Sequence, residues 1–220
     1  MNAGELISES ITILSTDIKG IDALNLMQGE KTKHLPICDN QKYVAIISEN
    51  DINNWENPES LISSHISNLA APYVKTHQHL FEVINILSNN ELSLVPVVDD
   101  DNKYLGIIKQ EKTIKEISNL LSLHENGGII ILEMNKLDYS LTEISSIIES
   151  NKNKIVNLHL NPDNNTNIIN LTLKVDSPEI EPIIRSLKRF NYVIKSSYSE
   201  RKQEIDFSER YEQFIKYLNP

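Results

Sequence analysis

The chain has one cysteine, Cys38, among 220 residues. An intrachain disulfide framework is therefore excluded, and no cysteine cluster exists to build a zinc site. Cys38 lies in the apolar run LPIC, where a small buried thiol is the ordinary reading. Long hydrophobic runs are also missing: none reaches the roughly 18 residues of a membrane-crossing helix, and no membrane partner is expected. Met1–Glu9 lacks a basic stretch followed by an apolar core, so no secretion signal is read and a cytoplasmic location is expected. Positive charge is scarce, with 21 Lys and Arg against 31 Asp and Glu and a net charge of −10. That balance opposes nucleic-acid binding, which depends on basic residues displacing phosphate counterions. A small anionic ligand needs only local donors and stays open.

Catalytic signatures are absent too. The chain has no G-x-x-x-x-G-K-[ST] run, no H-E-x-x-H, no nucleophile elbow and no Cys–His constellation. His77 and His79, with His65 nearby, suggest a metal site at first sight. Residues two apart on a helix do not face each other, however, and no acidic or thiol cluster completes a ligand set. Asp99–Asp101 falls in a turn between strands, where aspartates serve turn formation. No enzymatic activity, metal or catalytic cofactor is expected.

What the chain does contain is an internal repeat. "KHLPICDNQKYVAIISEND" (33–51) returns as "SLVPVVDDDNKYLGIIKQEK" (93–112). Pro36 and Pro96 are 60 apart, as are Thr16 and Thr76, and Leu24 and Ile84. One extra residue in the acidic turn then shifts Tyr43 to Tyr104 and Ala45 to Gly106 by 61. Each copy reads as a short strand ending at Thr16 or Thr76, a helix with apolar residues at 3.6-residue spacing, two apolar strands joined by an Asp/Asn turn, and a closing helix, around 51–66 or 111–123. A unit of about 60 residues buries only around 60% of its unfolded surface. Two such sheets packed face to face complete a core that neither finishes alone.

After "HENGG" (124–128) the pattern changes. "GIIILEM" reads as a buried strand, and "SLTEISSIIESN" as a helix with Ser140 and Glu143 at capping-box spacing. "KIVNLHL" and "NIINLTLKV" read as a hairpin. "SPEIEPIIRSLKRFN" reads as a helix capped by Ser177 with Pro178 in its first turn, and "YVIKSSY" as a last strand. The order βαββαβ is the ferredoxin-like split βαβ. The fold class expected is α+β: two β-α-β-β-α units followed by a ferredoxin-like domain. The boundaries read from the sequence are 1–124 for the pair (repeats at about 4–66 and 67–123), 127–200 for the second domain, and 201–220 for an amphipathic C-terminal helix. Tyr211, Phe214, Ile215 and Leu218 line one face of that helix.

The repeated unit resembles the cystathionine-β-synthase domain, or CBS domain, which occurs in tandem. The resemblance rests on LPICD and VPVVD, each followed by the family's G-h-h-[ST]-x-x-[DN] motif. Here the motif reads Ala45-Ile46-Ile47-Ser48-Glu49-Asn50-Asp51 in the first copy. The second keeps Gly106 but has Lys109 and Lys112 at the polar positions. The resemblance implies a regulatory adenosine-containing ligand: AMP, ADP, ATP or S-adenosylmethionine. It places Asp51 on the ribose hydroxyls by charge-assisted hydrogen bonds and Ser48 beside a helix start that favours phosphate. It also places Leu35 and Pro36 along the adenine and Thr16 at the adenine pocket. Helix capping is the alternative for Ser48 and Asp51, and equally for Thr16. Lys112 cannot accept from ribose hydroxyls, so the second site reads as closed or altered; Lys109 or Lys112 reads as a solvated lysine, or as one reaching a phosphate of the paired site.

The second half resembles an ACT-like domain. Where that family has a Pro-Gly pair before the first helix, this chain has "KLDYSL", with Asp138 and Tyr139 in their place. Glycine there allows close backbone approach to a ligand, so the resemblance implies a pairing role within a homodimer more than amino-acid binding. A CBS pair followed by an ACT-like domain is similar to small stand-alone bacterial regulatory proteins. Two functions remain open: a sensor that relays adenosine-ligand binding through dimer geometry to a downstream protein, and a structural or protein-interaction module with degenerate nucleotide sites.

Overall fold

The computed structural model describes residues 1–8, 11–163 and 166–199. The C-terminal helix expected over 201–220 lies outside these residues. Two compact units divide the chain between Ile117 and Ser118. The elements up to the end of the duplicated region are α1 (Gly20–Glu30), β1 (His34–Asp39), β2 (Lys42–Ser48), α2 (Glu49–Asn53), β3 (Val74–Lys75), α3 (Leu80–Asn89), β4 (Leu94–Val98), β5 (Tyr104–Lys109) and α4 (Gln110–Leu120).

The duplication in sequence is a duplication in register. In the first repeat β1 pairs antiparallel with β2, and Pro36 stands opposite Ile46. In the second, β4 pairs antiparallel with β5, and Pro96 stands opposite Ile107. Each ladder breaks register at the same place, between Ile37 and Cys38 and between Val97 and Val98. The strand expected to end at Thr16 contracts to one bridge, Leu14 to Ile37, whereas its counterpart β3 pairs parallel with β4. Leu14 N–H donates to Pro36 O, and Cys38 N–H donates to Leu14 O.

The two repeats exchange their leading segments. Ala3 N–H and Gly4 N–H donate to Gln78 O and Thr76 O of the second repeat. Correspondingly, Ile62 N–H and Ser63 N–H donate to Ile18 O and Thr16 O of the first. Ala3 and Leu6 are thus buried in the core formed by Val74, Leu80, Val83, Leu94, Val95, Val97, Ile107 and Ile108. Ile62 is buried with Leu14, Met27, Leu35, Ile37 and Ile47. Residues 4–8, assigned by sequence to the first repeat, therefore complete the second. Pattern reading could not show this, because the contact is made across some 70–100 residues of chain.

The closing helices are unequal. The helix expected over 51–66 is confined to α2, five residues, followed by 3₁₀ turns at Ile62–Ser64 and Ile66–Asn68. Asparagines at 53, 54 and 57 and Pro58 interrupt it, since Asn competes for backbone hydrogen bonds and Pro lacks an N–H. Here Trp55 stacks on His65, centroids 3.9 Å apart. In the second repeat α4 runs eleven residues.

The second unit contains β6 (Gly128–Asn135), α5 (Leu141–Ser150), β7 (Ile155–Pro162), β8 (Ile168–Val175), α6 (Glu181–Arg189) and β9 (Val193–Ser199). Its four strands form one antiparallel sheet in the order β7-β8-β6-β9. Ile130, Leu132, Leu171 and Leu173 of the sheet pack on Ile144, Ile147 and Ile148 of α5 and Ile183 and Leu187 of α6. Ser140 caps α5 by accepting from Glu143 N–H. Ser177 does not cap α6, which begins at Glu181 with Ile180 before it and Pro182 in its first turn; the Ser177 hydroxyl accepts instead from Glu179 N–H. No described helix is long and apolar enough to cross a membrane.

Candidate ligand site in the first repeat

Strand alternation sorts the residues around the motif onto two faces. Leu35, Ile37, Ala45 and Ile47 point into the core of the first repeat. His34, Pro36, Ile46 and Ser48 share the opposite face, where His34 pairs with Ser48 and Pro36 with Ile46. Ile46 packs with second-repeat residues, and its N–H donates to Ala70 O. This face therefore looks toward the second repeat. Leu35 and Pro36 are both buried, Leu35 on the other face, so of the two residues expected along an adenine only Pro36 lies on the site side.

Ser48 ends β2 and is the N-cap of α2. Its hydroxyl accepts from Asp51 N–H at 3.0 Å and donates to Asp51 Oδ2 at 2.6 Å, while Ser48 N–H reaches the same oxygen at 2.8 Å. This is a capping box with Asp in the third position. Capping and site membership are not exclusive: both Ser48 bonds converge on Oδ2, and Oδ1 has no hydrogen bond among the described residues. The α2 helix spans only five residues, and two of its leading N–H groups are already used, Glu49 N–H on Lys33 O and Asp51 N–H on Ser48 Oγ.

Thr16 is half-buried in the turn before α1. It does not cap that helix, whose N-cap is Lys19 without a side-chain bond. Its carbonyl accepts from Ser63 N–H at 2.8 Å. No hydrogen bond joins it to Ser48 or Asp51 among the described residues. Thr76 does not cap either: α3 is capped by His79, with Glu82 completing the box.

Sequence reading missed His34. Its side chain stands across the ladder from Ser48 and feels the carboxylates of Asp51 and Glu49. Its Nδ1 meets Ser93 Oγ at 2.9 Å and accepts from Ser93 N–H at 3.2 Å. Burial is the main cause that moves its pKa below the ordinary 6.5; Asp51 opposes the shift, Lys33 adds to it and Glu49 opposes it. The available signal was positional: His34 lies two residues before Pro36, on the same strand face.

The matching place in the second repeat is different. Lys112 Nζ donates to Ile7 O at 3.3 Å, so it is engaged by the exchanged N-terminal segment. Lys109 closes β5 opposite Leu94. Among the described residues no three His, Cys, Asp or Glu come together as a metal set.

The CBS domain model matches residues 3–56 and 64–119, together half of the chain. Two curated relatives are inosine-5'-monophosphate dehydrogenases. That of Methanocaldococcus jannaschii is 25% identical over 114 residues, 51% of this chain and 23% of that protein. That of Bacillus subtilis is 26% identical over 152 residues, 65% of this chain and 30% of that protein. The chain thus spans less than a third of either relative. Among solved structures, a CBS domain pair/ACT domain protein of Thermotoga maritima matches with a TM-score of 0.49 at 12% identity, covering 55% of this chain and 99% of that one. The matched segments coincide with the two copies of the repeat, LPICD with AIIS and VPVVD with GIIK, and with the two ladders that repeat its register. The chain belongs to the CBS domain family, which it carries as a tandem pair.

Proposed function

We propose that the chain is a non-catalytic regulatory protein whose first CBS repeat takes an adenosine-containing ligand. AMP, ADP, ATP and S-adenosylmethionine are the compounds that carry the needed ribose. Asp51 receives the ribose hydroxyls, Pro36 borders the adenine, and Thr16 lies at the pocket rim. The observation that carries this reading is the carboxylate of Asp51: Ser48 holds it through one oxygen only, on the face turned to the second repeat. Carboxylates recognise ribose hydroxyls in just this acceptor role. Residues 127–200 act as an ACT-like pairing domain in a homodimer, and ligand binding is relayed through dimer geometry to a downstream protein. Support for pairing comes from β7, an edge strand without one charged side chain; edges left uncharged accept further strands readily.

Thermal denaturation with each of the four compounds tests the reading. A ligand at about 100 times its Kd stabilises the binding state by about 2.7 kcal/mol, and Asp51→Ala removes the shift while the protein remains folded. A flat response to all four compounds favours the second reading, a protein-interaction module with degenerate sites. The observation behind that alternative is that Ser48 and Asp51 already bond each other as a capping box, and Lys112 is bound to Ile7.

A further inference from the structure

We infer that His34 is a positioning residue that ties the start of α2 to the start of α4, and that the tie is complete only while its imidazole is neutral. The path is continuous. Glu49 N–H, at the first residue of α2, donates to Lys33 O at 3.1 Å. The next residue, His34, takes Ser93 through Nδ1. Ser93 O in turn accepts from Gln110 N–H, at the first residue of α4, at 2.9 Å. Thr32 Oγ1 backs the junction, 3.3 Å from Ser93 Oγ. The helix start that bears Asp51 and the one that bears Lys112 are thereby linked through one ring nitrogen.

Only one state of that nitrogen makes both bonds. A backbone N–H can only donate, so Nδ1 receiving it carries no proton, and the neutral ring holds its proton on Nε2. Protonation places an N–H on Nδ1, facing the Ser93 N–H; that bond is lost, the ring keeps only Ser93 Oγ as an acceptor, and the tie loosens. The charged groups around the ring come from both sides. Asp51 and Glu49 of α2 favour the imidazolium, and Lys33 opposes it. From the second repeat, Ser93 presents a neutral donor, and Lys109 stands opposite Leu94, the residue after Ser93.

The consequence for the site rests on the ligand reading above; the tie itself does not. Nitrogen NMR of the full chain, titrated from about pH 7.5 to about pH 5.5, is expected to show His34 as the Nε2–H tautomer with a midpoint below 6.5. Stability should follow. Between the folded and unfolded midpoints the unfolded chain binds more protons, so stability is lost as pH falls below 6.5. His34→Asn keeps an acceptor near the Nδ1 position and does not titrate, so its unfolding constant should stay flat where that of the wild type rises. An Nδ1–H tautomer, a midpoint at or above 6.5, or an equal acid loss in His34→Asn would overturn the inference; the first two are read on the wild-type chain. If the tie is found but no adenosine compound binds at any pH, the ligand reading fails alone. If one binds, its thermal shift should shrink on acidification in the wild type and hold in His34→Asn.

Discussion

The two CBS repeats share an antiparallel strand pair, its register and its bulge, yet differ at almost every position where β2 and β5 hand over to a helix. In the first, Ala45 is buried and Ser48 and Asp51 close a capping box on a five-residue helix. In the second, Gly106 stands at φ +146°, Lys112 reaches Ile7 O, and the helix runs eleven residues. The difference follows from what crosses each ladder. The N-terminal segment lies against β5, with Ser8 bridged to Ile107, and a Cβ on Gly106 would stand 2.6 Å from Ile7 Cγ2 and 3.3 Å from Ser8 O. A segment crosses the first ladder as well, with Ile46 N–H on Ala70 O, but in the second repeat the segment also takes Lys112 and packs Ile7 over Gly106, whereas the first keeps the polar pair. Duplication conserved the scaffold and let the helix starts take separate tasks.

The sharpest break in that comparison is to swap the small residues. Gly106→Ala meets both a backbone conformation that side chains rarely adopt and the Ile7 methyl, so it should cost about 3 kcal/mol. Ala45→Gly removes one buried methyl and adds chain entropy in a strand, and should cost about 1–2 kcal/mol. Urea denaturation of both variants reads the difference. Equal losses would mean that the exchanged N-terminal segment does not press on β5.

The helix starts give the next effect. Ser48→Ala removes the oxygen that caps Asp51 N–H and should cost about 1 kcal/mol. Lys109→Ala, at the equivalent place in the second repeat, should stay within about 0.5 kcal/mol. A loss for Lys109→Ala as large as that for Ser48→Ala, in thermal or urea melts, would mean that the second helix start has its own structural anchor.

These contrasts also mark what the amino-acid string could disclose. Alternation and the 60-residue offset place β1, β2, β4 and β5, because strand patterning is local and burial enforces it. The fate of Thr16 was not local: α1 starts later, at Gly20, and the Thr16 carbonyl is taken by Ser63, 47 positions away. Leu35 and Pro36 are neighbours in the chain and lie on opposite faces, so a motif read as a block cannot say which one faces the second repeat. His34 carries no motif signature; its significance comes from Ser93, which only the packing of the repeats supplies. Asp51 was legible as an acid at a helix start, but the fact that Ser48 occupies just one of its oxygens required coordinates.

The smallest effect concerns Cys38 and its counterpart Val98, which occupy the same place beside the two register breaks. Val98 is fully buried, whereas Cys38 is half-buried, and its thiol is pushed up to about 11 by desolvation. At that value only about one thiol in a thousand is ionised at about pH 8, so alkylation should be far slower than for an exposed cysteine. Cys38→Val makes the first repeat match the second with a side chain of similar volume and no polar group. It should change stability by less than about 1 kcal/mol. A larger loss in denaturant melts would show that the sulfur makes a contact that valine cannot replace, and the two bulges would then be alike in backbone only.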